Sequence, residues 1–156
     1  MKRIVTVIFC LLVILLFVVW ANFCYGAKPV TVKLSFTAPQ KGQQLKEGLV
    51  FTCKGKFQCD PRNTKLNQIH IWLFLLDRDG NMNRYWIQKP VTLNNKGLWE
   101  GPIKPAKGTV QVAAVLADPN TDKLFKTWLS KGNVTKQYEL PRGAQILTMV
   151  GVKTVK

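Results

Sequence analysis

The sequence predicts an all-β domain, an antiparallel sandwich with one short helix inserted near residues 121–131. Apolar and polar residues alternate through about seven short segments, which is the pattern of half-buried strands. Turn-forming residues separate these segments about every 8–12 positions. A single stretch departs from this pattern, because Leu124, Phe125, Trp128 and Leu129 recur at helical spacing.

The first half of the domain predicts four strands. Residues 30–37 alternate strictly, and residues 48–57 place Leu49, Phe51 and Cys53 on one face. Residues 67–77 are apolar on both faces at their centre, which is typical of a central strand. Residues 83–88 follow an Asp-Gly turn, so this pair of segments predicts a hairpin.

The second half of the domain predicts short strands around the helix. Residues 91–93 and 98–103 are short candidates, and residues 108–117 form another buried strand. The helix begins after Asp118-Pro119 and ends before Gly132, and its apolar side chains lie on one face. Residues 145–155 close the chain as a last strand.

Residues 1–26 predict an export segment. Lys2 and Arg3 precede the run 4–20, in which Thr6 is the only polar member. Such a run suits the translocon or a bilayer rather than a small soluble core. Small residues before Ala27 favour cleavage as a signal peptide. The alternative is an uncleaved membrane anchor, because about 18 helical residues reach about 27 Å, nearly the thickness of the hydrocarbon core of a bilayer. Both interpretations place one domain, residues 27–156, outside the cytoplasm, either periplasmic or secreted.

The predicted domain is strongly basic. Without Lys2 and Arg3 it keeps 21 basic residues against 8 acidic ones, a net charge of +13. Such a charge attracts anionic surfaces and polymers. The expected partner is therefore an envelope polyanion or a protein, with a membrane surface as a further partner, whereas nucleic acid is not expected. The alternative is that scattered lysines only keep the domain soluble.

Two cysteines belong to the domain, Cys53 and Cys59. Nearby thiols in an oxidising compartment tend to pair, so the sequence predicts a disulfide that pins a turn between them. The alternative is half of a metal site, but tetrahedral zinc needs two further ligands.

The candidate binding residues are aromatic and basic side chains near predicted turns: Tyr85, Trp86, Trp99, Arg78 and Arg84. Ring faces stack on sugars or bases and dock at lipid interfaces. Tyr85 and Trp86 are adjacent in a strand and point to opposite faces. One of them therefore lies outside the sandwich core, unless the helix or a loop covers it. The alternative for most of these rings is ordinary core packing.

A weak calcium alternative involves residues 77–83. Asp77, Asp79 and Asn81 offer oxygen ligands at alternate positions, as calcium loops do. The run lacks the terminal glutamate of an EF-hand, and Asp-Gly is itself a hairpin signal. We therefore expect a turn here and no bound metal.

No catalytic constellation is visible in the sequence. His70 is the single histidine and lies within a predicted strand, so we expect a packed structural role. The motifs of serine hydrolases, zinc proteases and phosphate-binding loops do not occur. The expectation is that the protein is not an enzyme and needs no cofactor.

Several stretches resemble immunoglobulin-like β-sandwich modules of bacterial extracytoplasmic proteins, over about residues 30–156. Cys53 lies where the second strand of the family carries a cysteine, and Trp72 lies where the family packs a tryptophan into the core. Residues 96–118 are similar to a family pattern in which glycine, tryptophan and glycine lead into a buried strand. The chain departs from the family in the helix and in residues 110–116, which lack the cysteine of the sixth strand. The resemblance implies an immunoglobulin-like sandwich, an architecture that hosts many functions.

These observations predict a non-enzymatic, exported binding or interaction module of the cell envelope that engages an anionic or protein partner. The alternative is a secreted inhibitor or effector that acts on another protein and presents a loop such as residues 77–83.

Overall fold

The computed structural model of the chain describes residues 31–59, 69–79, 82–131 and 139–156. The predicted export segment and Asn81 lie outside the described residues. Within these ranges the chain forms nine strands and one helix: β1 (Val32–Ala38), β2 (Gln43–Lys46), β3 (Phe51–Cys59), β4 (His70–Asp79), β5 (Met82–Pro90), β6 (Thr92–Leu93), β7 (Leu98–Ile103), β8 (Gln111–Ala117), α1 (Pro119–Ser130) and β9 (Ala144–Val155).

The strands form two sheets. One sheet has four strands in the order β1-β3-β7-β6, and the other has five in the order β2-β9-β8-β4-β5. Neighbouring strands are antiparallel except β2 and β9, which pair in parallel. The predicted all-β architecture of antiparallel strands with one helix is confirmed at this level.

The first hydrophobic core lies between the two sheets. Alternate residues of β3 and β4 point into it, because successive side chains of a strand face opposite sides of its sheet. The remaining members come from both sheets and from Ile69, which precedes β4. The buried residues of this core are Val32, Leu45, Cys53, Phe57, Ile69, Ile71, Leu73, Leu75, Trp99, Ile103, Val112, Ala114 and Val152.

A second hydrophobic core lies on the other face of the five-stranded sheet, against α1. Phe125 is the helix residue at its centre, and its ring lies 5.7 Å from the ring of Trp72 and 5.2 Å from that of Phe74. The domain therefore has three layers, with the five-stranded sheet in the middle. The buried residues of the second core are Trp72, Phe74, Leu76, Ile87, Ala113, Val115, Ala117 and Phe125.

Local signals determine where α1 begins. The Asp118 carboxylate accepts a hydrogen bond from the Thr121 backbone N–H at 2.7 Å, and Pro119 occupies the first turn. Both features are favoured at a helix start, where the first N–H groups have no helical acceptor.

No helix of the described residues combines the length and the apolar character needed to cross a membrane.

The structure differs from the sequence-based expectation in two strands. Strand β2 was not predicted, because Gln43–Lys46 holds a single apolar residue, Leu45, and shows no alternation. Strand β3 runs without a break to Cys59, so the turn expected between Cys53 and Cys59 is wrong. The pairing of β3 with β1 continues to Cys59, opposite Val32, which explains why the strand does not end earlier.

Close packing at Gly55 gives a prediction for stability. Trp99 donates from Nε1 to the Ser35 carbonyl oxygen at 3.2 Å, and a Cβ atom at Gly55 would meet both of these groups. We expect Gly55→Ala to lower the free energy of unfolding by about 3 kcal/mol, because overpacking a close-packed core costs about 1–3 kcal/mol or more. Urea denaturation measures this change.

The matched control is Gly151→Ala in β9, where an added Cβ would lie 4.0 Å from the Val110 carbonyl oxygen. This substitution should change the free energy of unfolding by less than about 0.5 kcal/mol. Equal stability of the two variants would show that Trp99 does not pack on Gly55.

Candidate functional site

Three lysines project from the outer face of the four-stranded sheet. Lys33 in β1 and Lys54 and Lys56 in β3 are exposed, and the residues that alternate with them are buried or half-buried. We call these three residues the lysine face. The remaining outward side chains of β1 and β3 are uncharged, namely Ser35, Thr37, Thr52 and Gln58.

The register of β1 and β3 brings the three lysines together. Lys33 lies opposite Gln58, and Ser35 lies opposite Lys56, so Lys33 and Lys56 are diagonal neighbours. Diagonal neighbours on a sheet lie about 7–8 Å apart, and residues two positions apart in a strand lie about 7 Å apart. Three positive charges therefore stand within reach of one extended anion.

The lysines of the lysine face form no ion pair with the acids of the described residues. Glu100 of β7 lies opposite Lys54, yet none of the three lysines has a carboxylate oxygen within ion-pair distance in the described ranges. Lys33 and Lys56 lie opposite uncharged residues, and like charges at this separation repel each other. An anionic ligand would remove this repulsion, so the geometry suits anion binding.

A shallow groove of about 370 Å³ adjoins the lysine face. Lys54 and Glu100 line the groove, together with the buried residues Gly55 and Trp99. Hydroxyl and amide groups complete the lining, so the groove offers hydrogen bonds beside the positive charges. The residues of this lining are Thr37, Lys54, Gly55, Thr92, Asn94, Leu98, Trp99 and Glu100.

Tyr85 and Trp86 point to opposite faces of β5, as the alternation requires. Tyr85 packs against the second core, and its ring lies 6.4 Å from the ring of Phe74. Trp86 packs against the core between the sheets. Both rings are half-buried. Each ring therefore has a packing role, and neither lies on the lysine face.

Arg84 is held by Asp77, directly across the β4–β5 pair. Its guanidinium donates to both carboxylate oxygens of Asp77, at 2.8 and 2.7 Å, and lies 5.9 Å from the ring centre of Trp86. The carboxylate of Asp77, the first candidate calcium ligand, is therefore already paired with Arg84. No group of three acidic, cysteine or histidine side chains suited to a metal occurs among the described residues. Arg78 is exposed on the other face of β4.

Trp99 is a core residue. Its side chain is 2% exposed and contacts Phe36 edge to face, with ring centres 5.0 Å apart. The ring therefore does not offer a stacking surface to a ligand. The five candidate binding residues do not form one site. Arg84 and Trp86 share one face of the β4–β5 pair, Arg78 and Tyr85 share the other, and Trp99 is buried between the sheets.

The predicted disulfide between Cys53 and Cys59 is not formed, and both residues are free thiols. They lie on the same face of one continuous strand, and six residues of extended chain span about 20 Å. A disulfide requires Cα atoms within about 7 Å, so this geometry excludes the bond within one chain. Cys53 is fully buried between the sheets, and burial raises the pKa of its thiol to about 12.

Asp122 of α1 is a buried acid that joins the helix to the central sheet. Its carboxylate accepts from the Trp72 indole Nε1 at 2.9 Å and pairs with the Lys126 ammonium at 2.7 Å. His70 Nδ1 lies 3.6 Å from the same carboxylate. The sequence showed the helix and the strand separately, and nothing in it marked Asp122 as the residue that connects them.

The electrostatic environment keeps Asp122 ionised. Burial alone would raise the pKa of its carboxyl. The hydrogen bonds from Lys126 and Trp72 and the positive charge of Lys126 outweigh burial, with His70 also contributing, and hold the pKa below its ordinary value. This arrangement stabilises the docking of α1, because the carboxylate satisfies an indole N–H that is otherwise buried.

No known protein family model matches the chain, and no curated protein or solved structure is significantly similar to it.

The free thiols give a prediction for alkylation. Iodoacetamide should modify Cys59 in the native protein and leave Cys53 unmodified until the chain unfolds, because the thiolate is the reactive form and the Cys53 pKa is about 12. Peptide mass spectrometry with and without urea measures both sites. Recovery of a peptide linked by a Cys53–Cys59 bond would contradict the structure.

The Asp122 contacts give a prediction for pH. Asp122→Ala should lower the free energy of unfolding by about 1–3 kcal/mol at neutral pH, since it leaves the Trp72 N–H without an acceptor. Asp122→Asn should cost less, because an amide oxygen can still accept from Trp72.

The pKa of Asp122 is lowered in the folded state, so its stabilising contribution is present above its ordinary value and is lost as the pH falls through the folded pKa. The difference in stability between the wild type and Asp122→Asn should therefore shrink in acid. Urea denaturation across the acidic range measures this difference, and a gap that widened in acid would contradict the ion pair.

Proposed function

We propose that the protein is a non-enzymatic, exported binding module that engages a polyanion of the cell envelope through the lysine face. The single observation that carries the proposal is the clustering of Lys33, Lys54 and Lys56, none of which forms an ion pair among the described residues. The net charge of the whole chain, +15, supports it, because the field of the domain attracts anions before contact.

The shape of the site favours a polymer over a small anion. The lysines stand on a sheet surface rather than inside an enclosed cavity, and each of them is exposed. A single phosphate could contact at most part of this row. A polymer with regularly spaced phosphates or carboxylates contacts all three lysines at once, and the released counterions strengthen binding. The adjoining groove supplies hydrogen-bonding groups for uncharged parts of such a polymer.

We also propose that the sandwich is immunoglobulin-like. Support comes from the strand order β1-β3-β7-β6 facing β9-β8-β4-β5, which corresponds to the order A-B-E-D facing G-F-C-C′ of that architecture. Cys53 in the core on the second strand of this order also fits. Trp72 departs from the family, because it faces α1 instead of the opposite sheet. The helix occupies the connection between the last two strands.

The lysine face is tested by replacing its charges. The triple variant K33Q/K54Q/K56Q should bind long-chain polyphosphate at least about tenfold more weakly, a loss of about 1.4 kcal/mol. Its affinity should also depend less on salt, with the slope of log affinity against log salt reduced by about one for each lysine removed. Isothermal titration calorimetry over a salt series measures both quantities.

A matched control removes the same number of charges elsewhere, at Lys123, Lys131 and Lys153, which are exposed on α1, after α1 and on β9. This variant should retain the affinity of the wild type within about a factor of three, since distant exposed charges are screened by salt. Equal losses in the two variants would mean that net charge alone drives binding and that the lysine face is not the site. An affinity that does not change with salt concentration would also exclude the lysine face as the binding site.

A further inference from the structure

A second exposed feature lies between β2 and β3, at Leu49 and Val50. These two apolar side chains are 57% and 70% exposed, the highest exposures among the large hydrophobic residues of the described chain. They follow Gly48, whose backbone has a φ of 75°, a left-handed conformation that glycine adopts without strain. We call residues 46–50 the apolar tip.

Backbone hydrogen bonds hold the apolar tip in place. The Glu47 N–H donates to the Val155 carbonyl oxygen, and the Gly48 N–H donates to the Pro105 carbonyl oxygen, both at 2.8 Å. Leu49 also donates to the Lys46 carbonyl oxygen across the turn. These hydrogen bonds tie the tip to the last strand and to the segment after β7. The backbone that carries Leu49 and Val50 is therefore already ordered, so binding a partner needs no further loss of loop entropy.

The surface beside the tip is apolar with a basic rim. Val50 forms one wall of a groove of about 270 Å³, together with Ile87, Pro102, Ile103 and Leu129. Lys89 and Lys104 line the same groove, and Lys46 and Lys107 are exposed on the adjoining segments. Glu47 is the one acid within segments 46–50, 87–89 and 102–107.

We propose that the apolar tip and its basic rim form a docking surface for an anionic phospholipid bilayer. Leu49 and Val50 enter the boundary between headgroups and acyl chains, and the lysines of the rim contact the lipid phosphates. Apolar side chains flanked by lysine are the combination that binds such a surface, because hydrophobic burial and attraction to anionic lipid act together. Lysine also keeps its ammonium in the headgroup layer while its methylene chain lies along apolar surface.

Charge and shape favour a bilayer over a second copy of the chain. Two tips in contact would bring Lys46, Lys89 and Lys104 against the same residues of the partner copy, and like charges at an interface disfavour association. Leu49, which is 57% exposed, also lies outside the groove lining, and Val50 forms only one wall of the groove. This arrangement suits a fluid layer that can surround them. The surface is separate from the lysine face, so the inference stands whether or not the polyanion proposal holds.

The test uses the full chain with an environment-sensitive fluorescent amino acid at position 50. A control protein carries the same amino acid at position 149, where Met149 is 47% exposed on β9. With vesicles of phosphatidylcholine and phosphatidylglycerol, the emission of position 50 should increase at least severalfold and shift to the blue, while position 149 stays unchanged. Vesicles of phosphatidylcholine alone should give little change at either position. Comparing two positions in one full chain gives the same answer whether residues 1–26 stay attached or not.

Substitutions at the tip complete the experiment. L49N/V50N should reduce the fraction of the domain that contacts phosphatidylglycerol vesicles, read by a fluorescent amino acid at position 104, by at least about fivefold, whereas Met149→Asn should not. Thermal denaturation verifies that both variants fold. The proposal is overturned if position 50 remains in a water-like environment on anionic vesicles, if positions 50 and 149 respond equally, or if sedimentation shows that the tip is covered in a dimer of the chain.

Discussion

Strand β4 carries apolar side chains on both of its faces, from residue 71 to residue 76, and all six are buried. A sheet with one apolar face needs one covering layer, whereas β4 needs two. Burying a large apolar side chain contributes about 1.5–3 kcal/mol, so the three residues on the helix side alone contribute about 5–9 kcal/mol. That sum is comparable to the whole net stability of an ordinary domain, about 5–15 kcal/mol. The helix is therefore a required layer of the fold.

This requirement explains the polar contacts of the helix. Trp72 brings an indole N–H into the interface together with its apolar ring, and a buried donor without an acceptor is costly. Asp122 supplies the acceptor, and Lys126 neutralises the resulting charge one turn further along the helix. The apolar packing thus explains why a helix covers this face of the sheet, and the Asp122 contacts fix the position of the helix on the sheet.

Covering both faces of the middle sheet leaves one broad sheet surface open to water, the outer face of the four-stranded sheet. The residues there need only be compatible with solvent, and uncharged side chains would meet that need. Three lysines occur on two paired strands instead, and Lys33 and Lys56 have no carboxylate opposite them. This arrangement is the reason to look for a ligand on the outer face of the four-stranded sheet.

The sequence predicted much of this architecture because periodicity reports burial. The two-faced pattern of residues 67–77 indicated the central strand, and the helical spacing of Leu124, Phe125 and Trp128 indicated the helix. The sequence could not predict which partner covered each face of β4, since that depends on long-range packing. It also could not relate Lys33 to Lys56, because only the register of β1 with β3 makes them neighbours. The expected cysteine pair was wrong for a related reason: a spacing of five residues suits a turn, but it separates the thiols widely when the strand continues.

The tryptophan and tyrosine side chains of the described residues contribute to stability through packing, which limits their role in recognition. Trp72 and Trp99 are fully buried, and Tyr85, Trp86 and Trp128 each pack one side against a core. The rings of Trp72 and Trp99 therefore cannot stack on a sugar or a base. In the two proposals, recognition depends on charge at the lysine face and on aliphatic side chains at the apolar tip. Both of these act with little dependence on the shape of the partner, so we expect a module that selects for negative charge and for a surface or polymer, and that discriminates poorly among chemically different anions.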